Sequence, residues 1–257
     1  MTNYNFDRVA AQYDATRAFP PAVKERICTW VLSRLPKDPA ITEIGVGTGR
    51  IAVPFIERGV RYSGFDISQS MLDLLKAKVG DRPNANLAIA DITQPLPLPE
   101  QSQDAVIAVQ ILHLVDATKA LEQVRRVLKP HGALIWGWIE HGAQAPNSRI
   151  RPQFKAFVQE AGGAFRTDYN QQPARDLLAQ WGARAAHHTV AVWQGQETPR
   201  QAIEPMGQKV MSSTWDIPDE ILAKAAAKTE AWAEAEYGDL DRPLGYELSF
   251  GVDWYQF

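Results

Sequence analysis

The chain contains a single cysteine, Cys28, among 257 residues. An intrachain disulfide is therefore excluded, and cysteine usage gives no sign of an oxidising compartment. No apolar run approaches the roughly 18 residues that a membrane-spanning helix needs. Neither charge dominates: 27 Lys and Arg against 30 Asp and Glu leave a net charge of −3. There is no basic stretch either, so electrostatics gives no reason to expect a nucleic acid or an anionic membrane as partner. The opening residues Met1-Thr2-Asn3-Tyr4-Asn5-Phe6-Asp7 lack the basic and apolar regions of a secretory signal. The five histidines show no metal-binding spacing. His187 and His188 are adjacent in an expected strand and so point to opposite faces, and no metal is expected. These absences together predict a cytoplasmic protein.

What is present is an ordinary globular composition, 45% hydrophobic and 22% charged, in a chain long enough for one large domain or two small ones. With no repeat and no flexible linker, a single domain over 1–257 is expected. It has three parts: an N-terminal helical cap at 1–38, a core at 40–140, and a helical cover with late strands at 145–245. Phe6, Val9, Ala10 and Tyr13 share one helical face, and a second helix runs from Ala22 to Leu35. Strands are expected at 40–44, 60–65, 86–90, 104–109 and 132–139, with helices at 50–58, 68–79 and 116–128 between them. Such alternation predicts an α/β fold with a doubly wound, mostly parallel sheet, and apolar strands fit burial on both faces. Beyond 145, helices are expected at 154–160, 174–181 and 221–236, and strands at 187–193 and 248–255. Five of the eight tryptophans (Trp181, Trp193, Trp215, Trp232, Trp254) lie after residue 147. They either line an apolar pocket or pack in the core.

The sharpest signal is Glu43-Ile44-Gly45-Val46-Gly47-Thr48-Gly49, between a strand and a helix. Glycine permits positive φ and close approach of a ligand, and the helix start offers N–H groups; a plain tight turn would use the same residues. The dinucleotide pattern Gly-x-Gly-x-x-Gly needs a third glycine where this chain has Arg50, and no phosphate loop ending in Gly-Lys-Ser/Thr is present. Asp66 ends the second strand, where a carboxylate can accept from both hydroxyls of a ribose, or simply sit as a charge before the helix capped by Ser68. Asp91 ends the third strand, where it can meet an adenine amino group or form an Asx turn. Acidic groups at successive strand ends beside a glycine turn mark the ligand edge of an open α/β sheet.

With Glu43 to Gly49, Asp66 and Asp91 in place, the chain resembles the class I S-adenosylmethionine-dependent methyltransferases, of the small-molecule, ubiquinone-pathway-like branch. The resemblance covers roughly residues 5–140. It implies a seven-stranded Rossmann-like methyltransferase fold with N-terminal helices and a helical cover between the last strands. It also implies S-adenosylmethionine as cofactor: its methionine end at Glu43, Gly45, Gly47 and Gly49, its ribose at Asp66, its adenine at Asp91 and Ile92. Met71 and Ile67 would pack about that ring, and Gln110 would lie near the sulfonium. Residues 6–17 resemble the family's N-terminal helix, with Tyr13 over the methyl end and Arg17 at the carboxylate end. Leu112-His113-Leu114 resembles a paired-histidine segment whose second histidine is here Leu114, and Lys129-Pro130-His131-Gly132 a turn before the fifth strand.

A sulfonium-bound methyl is already electrophilic, so in-line alignment of a nucleophile supplies much of the rate, on the order of 7–11 kcal/mol at best. A general base is optional, and His113 and His141 are the candidates, each more readily read as a loop or packing histidine. The expected acceptor is an O, N or S nucleophile of a small planar or apolar molecule, drawn from residues 145–245. A non-catalytic S-adenosylmethionine-binding protein and a nicotinamide oxidoreductase are the alternatives. Oligomeric state is not legible.

Overall fold

Residues Ala40–Ile44, Arg61–Asp66, Ala85–Ile89 and Gln103–Val109 form β1 to β4; Leu128–His141, Arg184–Glu197 and Leu244–Gln256 form β5 to β7. The seven strands make one sheet in the order β3-β2-β1-β4-β5-β7-β6. β1 lies parallel to β2 and β4, β2 to β3, and β4 to β5. β7 runs against β5: Gly142 N–H donates to Glu247 O, and Phe257 N–H to Gly132 O, so numbering falls on one strand as it rises on the other. The strand order reverses between β1 and β4, the place where open α/β sheets bind ligands at their carboxyl ends. The computed structural model describes residues 19–165, 171–209 and 212–257. The expected N-terminal helix, with Tyr13 and Arg17, lies outside them.

The helices are α1 (Pro21–Leu32), α2 (Ala52–Glu57), α3 (Gln69–Val79), α4 (Ala117–Val127), α5 (Pro146–Glu160), α6 (Gln172–Gln180), α7 (Pro199–Gly207) and α8 (Asp219–Tyr237). Their starts follow from local chemistry. Ser68 accepts the Met71 N–H to open α3, and Asp116 accepts the Lys119 N–H to open α4. Thr198 and Gln201 form a reciprocal capping box on α7. Proline opens α1, α5 and α7, where its missing N–H costs nothing.

The chain divides into two compact units. The first comprises Met1–Trp138, Tyr169–Ala191 and Phe250–Phe257, and the second Ile139–Asp168 and Val192–Ser249. In the first, Ile44, Phe65, Val106, Leu121, Leu134 and Leu178 belong to one buried cluster. The second has its own, with Ile150, Phe154, Ile203, Leu222 and Ala225.

Four elements differ clearly from the sequence expectation, the first being β6, which runs from Arg184 to Glu197 rather than over 187–193. α5 begins at Pro146 rather than near Phe154, because Pro152 is accommodated inside it. α7 is unforeseen: its Pro199, Pro205 and Gly207 read as breakers, yet Thr198 caps it and Ala202, Ile203 and Met206 are buried. β5 starts at Leu128, before the Lys-Pro-His-Gly turn. Gln103 pairs with Leu128 and Ala105 with Ala133, so the extra residues form an irregularity in which His131 takes φ 66°.

Candidate active site

The glycine turn joins β1 to α2, and all three of its glycines have positive φ: 70° at Gly45, 53° at Gly47 and 83° at Gly49. They differ in surroundings. A Cβ on Gly45 would fall 2.6 Å from Ile111 Cγ1, and one on Gly49 would run into Leu75 Cδ1. Among the described residues, a Cβ on Gly47 would meet nothing within 4 Å, so none of them fills the middle of the turn. The turn's amides are turned inward. Gly45 and Val46 N–H both donate to Phe65 O, at 2.8 and 3.0 Å, and Gly49 N–H donates to Val46 O at 3.1 Å. Gly47 N–H donates to Asp66 Oδ2 at 2.8 Å.

Asp66 is thus fixed at the end of β2 from two sides, since its Oδ1 accepts the Ser68 N–H at 3.0 Å. Asp91 follows β3 and closes an Asx turn: its Oδ1 accepts both Thr93 N–H and Thr93 Oγ1–H, at 2.9 and 2.7 Å. Met71 and Ile92 are buried, while Ile67 is 47% exposed beside Asp66. Gln110 follows β4 with φ 53°, a conformation costly for a residue with a side chain and commonest where a site demands it. Its Oε1 accepts from Arg50 Nη2 at 2.8 Å, and its N–H donates to Gly137 O at 3.1 Å. The guanidinium of Arg50 lies 4.6 Å from the centre of the Phe19 ring. Gly45, Gly47, Gly49, Asp66, Ile67, Asp91 and Gln110 thereby share the carboxyl edge of β1, β2, β3 and β4.

Glu43 is placed differently. It is buried in β1, and its Oε2 accepts the Tyr62 hydroxyl at 2.7 Å. Burial raises its pKa to about 8, against the smaller opposing pull of the Tyr62 hydrogen bond and Arg50. It is a largely neutral acid tying β1 to β2. His113 is half-buried in the loop after β4. His141, in the second unit, has its ring 6.0 Å from that of Tyr246. Burial, and then Arg151, hold its pKa below the usual histidine value.

The late tryptophans mostly pack. Trp181 lies against the core of the first unit and Trp232 against that of the second. Trp254 meets Trp30 edge-on at 5.8 Å, and the Trp215 indole N–H donates to Lys209 O at 2.7 Å. Core packing is thus the stronger of the two readings of these residues. Among the described residues, no three His, Cys, Asp or Glu side chains are grouped to hold a metal, and no helix is long and apolar enough to cross a membrane.

Residues 42–136, which run from β1 into β5, match the family model of a methyltransferase domain. Over those residues, which carry the strand-end carboxylates, the chain is similar to the class I S-adenosylmethionine-dependent methyltransferases. An uncharacterised methyltransferase of Mycobacterium bovis is 26% identical over 201 residues, 78% of this chain and 74% of that one. A demethylmenaquinone methyltransferase of Renibacterium salmoninarum is 26% identical over 194 residues, 68% of this chain and 79% of that one. A solved structure provisionally named a type II methyltransferase, from Anaeromyxobacter dehalogenans, superposes with a TM-score of 0.61 at 15% identity, covering 92% of this chain and 96% of that one, which shows the shared fold.

One constellation in the chain carried no sequence signal. His187 on β6 and Asp253 on β7 are 66 residues apart, and only strand pairing brings His187 Nδ1 to 2.9 Å from Asp253 Oδ1.

Proposed function

We propose that the chain transfers a methyl group from S-adenosylmethionine to an O, N or S nucleophile of a small, planar or apolar molecule. The observation that carries the reading is the Asp66 carboxylate, fixed where β1 and β2 end beside Gly47, whose side of the turn none of the described residues fills. The donor set suits the cofactor: an acidic strand end for the ribose hydroxyls, and a glycine turn without side chains to obstruct the methionine end.

In this reading Gly45, Gly47 and Gly49 flank the methionine end, with Glu43 beneath them in β1. Asp66 holds the ribose. Asp91 and Ile92, with Ile67 and Met71, border the adenine, and Gln110 stands at the sulfonium end. Tyr13 and Arg17 keep the roles implied by the family resemblance. The bound cofactor supplies a methyl group already activated by the sulfonium. The chain's own task is then to fix the nucleophile in line and exclude water. The neutral Glu43 and its Tyr62 partner keep the turn rigid without adding a second buried charge. His113 and His141 are candidate bases, although Arg151 disfavours a protonated His141. The named activity of the demethylmenaquinone relative supports a planar acceptor, and cysteine usage and charge support a cytoplasmic setting without nucleic acid or membrane as partner. The whole chain is taken as one methyltransferase domain.

The test is calorimetric titration with S-adenosylhomocysteine, wild type beside Asp66→Ala. Micromolar binding by the wild type that is lost in the variant is the expected result. A wild type that binds neither S-adenosylhomocysteine nor S-adenosylmethionine overturns the reading.

A further inference from the structure

Asp253 is a buried carboxylate with two partners. Arg175, on α6, bonds its Oδ2, and His187 Nδ1 stands 2.9 Å from its Oδ1. Arg175 is fixed in turn: it donates to the Tyr255 hydroxyl at 2.9 Å, and its guanidinium lies 4.9 Å from the centre of the Trp136 ring. A carboxylate can only accept, so the His187 tautomer is set: Nδ1 carries the hydrogen, and Nε2 is left with a lone pair. The imidazole stacks on Trp138, ring centres 5.5 Å apart and planes at 28°. Half of the His187 side chain, 51%, is exposed, against 9% for Asp253.

The dyad also has a place relative to the strand ends. Gln110 N–H donates to Gly137 O, so Trp138 is the next residue on β5 beyond the end of β4. Gln110, Gly137, Trp138 and His187 form a contiguous path in the first unit from the switch-point edge to the imidazole.

We propose that His187, oriented by Asp253, is the proton acceptor in methyl transfer to an aromatic hydroxyl. The inference rests on the methyltransferase reading above and deepens it. A phenol-type hydroxyl, with a pKa of about 10 as in tyrosine, is mostly protonated at neutral pH and a poor nucleophile. It gains most from a base that takes its proton as the new bond forms. The O–H bond breaks and its proton goes to His187 Nε2. The O–C bond forms while the C–S bond breaks, its electron pair leaving sulfur as a neutral thioether. The imidazolium is stabilised by Asp253, and the proton leaves to solvent from the exposed ring. Among the described residues, the charged groups about His187 are Asp253 from β7, at hydrogen-bond distance, and Arg175 from α6, which shares that carboxylate and itself donates to Tyr255. The indole of Trp138, stacked on the imidazole and 5.8 Å from the Arg175 guanidinium, holds the ring of the base in place.

The experiment uses labelled S-adenosylmethionine with catechol, hydroquinone and 4-hydroxybenzoate as acceptors, and aniline and thiophenol as controls. His187→Gln keeps a donor to Asp253 but cannot take the proton. The wild type is expected to methylate hydroxyls in the first set. His187→Gln should lower kcat by about 10²–10⁴-fold, leave KM and S-adenosylhomocysteine affinity nearly unchanged, and abolish the acid limb of the kcat–pH profile. Asp253→Asn, with the melting temperature measured alongside, should lower kcat in the same direction. An unchanged kcat and pH profile in His187→Gln overturns the proposal. So does a wild type that binds S-adenosylhomocysteine yet methylates none of the hydroxyl compounds. Failure to bind S-adenosylhomocysteine at all removes the cofactor reading first, and this inference with it.

Discussion

Asp66 Oδ2 accepts the Gly47 amide at 2.8 Å, so the end of β2 and the middle of the glycine turn are fixed to each other before any ligand arrives. Removing the carboxylate removes both this tether and the proposed ribose acceptor. Hydrogen bonds to a charged group contribute about 1.5–3 kcal/mol. Asp66→Ala should therefore weaken S-adenosylhomocysteine binding by roughly 10- to 150-fold in calorimetry. Wild-type affinity in the variant would show that the carboxylate faces no ligand hydroxyl.

The three glycines of the turn should not tolerate alanine equally. At Gly47 the cost is conformational alone, about 1–2 kcal/mol for a left-handed residue, since among the described residues a Cβ there meets nothing within 4 Å. At Gly49 the same cost is joined by a clash with Leu75, and overpacking adds about 1–3 kcal/mol. Urea denaturation should rank Gly49→Ala well below Gly47→Ala in stability. Equal midpoints would mean that α3 shifts freely, against its buried Leu72 and Leu75.

Glu43 makes stability depend on pH in the direction opposite to most carboxylates. Its pKa is raised by burial from 4.5 to about 8. Its contribution is therefore fully present below the unfolded value and is lost as pH rises through about 8. The wild type should lose stability between pH 5 and 8, on the order of a few kcal/mol. Glu43→Gln, which keeps the shape without the proton, should flatten that slope in pH-resolved denaturation. A parallel slope in wild type and variant would mean that Glu43 ionises as it does in water.

His141 should titrate below the ordinary histidine value, because burial and then Arg151 both disfavour its protonated form. Arg151→Gln should raise the midpoint partway in an NMR titration, the burial contribution remaining. A midpoint at or above 6.5 in the wild type would contradict the desolvation and the Arg151 charge that lower it.

The first four strands and the helices between them were legible because each is short and bounded by Gly, Pro or a capping residue. Ser68 and Asp116 mark helix starts by their identity alone. The strand-end carboxylates were legible for the same reason, since strand and turn fix their place. α7 was not, because Pro205 and Gly207 carry a local signal that burial of Ile203 and Met206 overrides. The burial of Glu43 was hidden too: its hydrogen-bond partner, Tyr62, lies on the neighbouring strand. His187 and Asp253 meet through β6 and β7, a pairing that no local spacing encodes.

The amides of Gly45, Val46, Gly47 and Gly49 in the glycine turn are already engaged within the protein, and that of Gly47 holds a carboxylate. A pyrophosphate docking here would find its usual donors taken and a negative charge in their place. On the proposed reading, that charge disfavours a nucleotide that carries phosphate at this turn and suits a nucleoside whose 5′ substituent has no net negative charge.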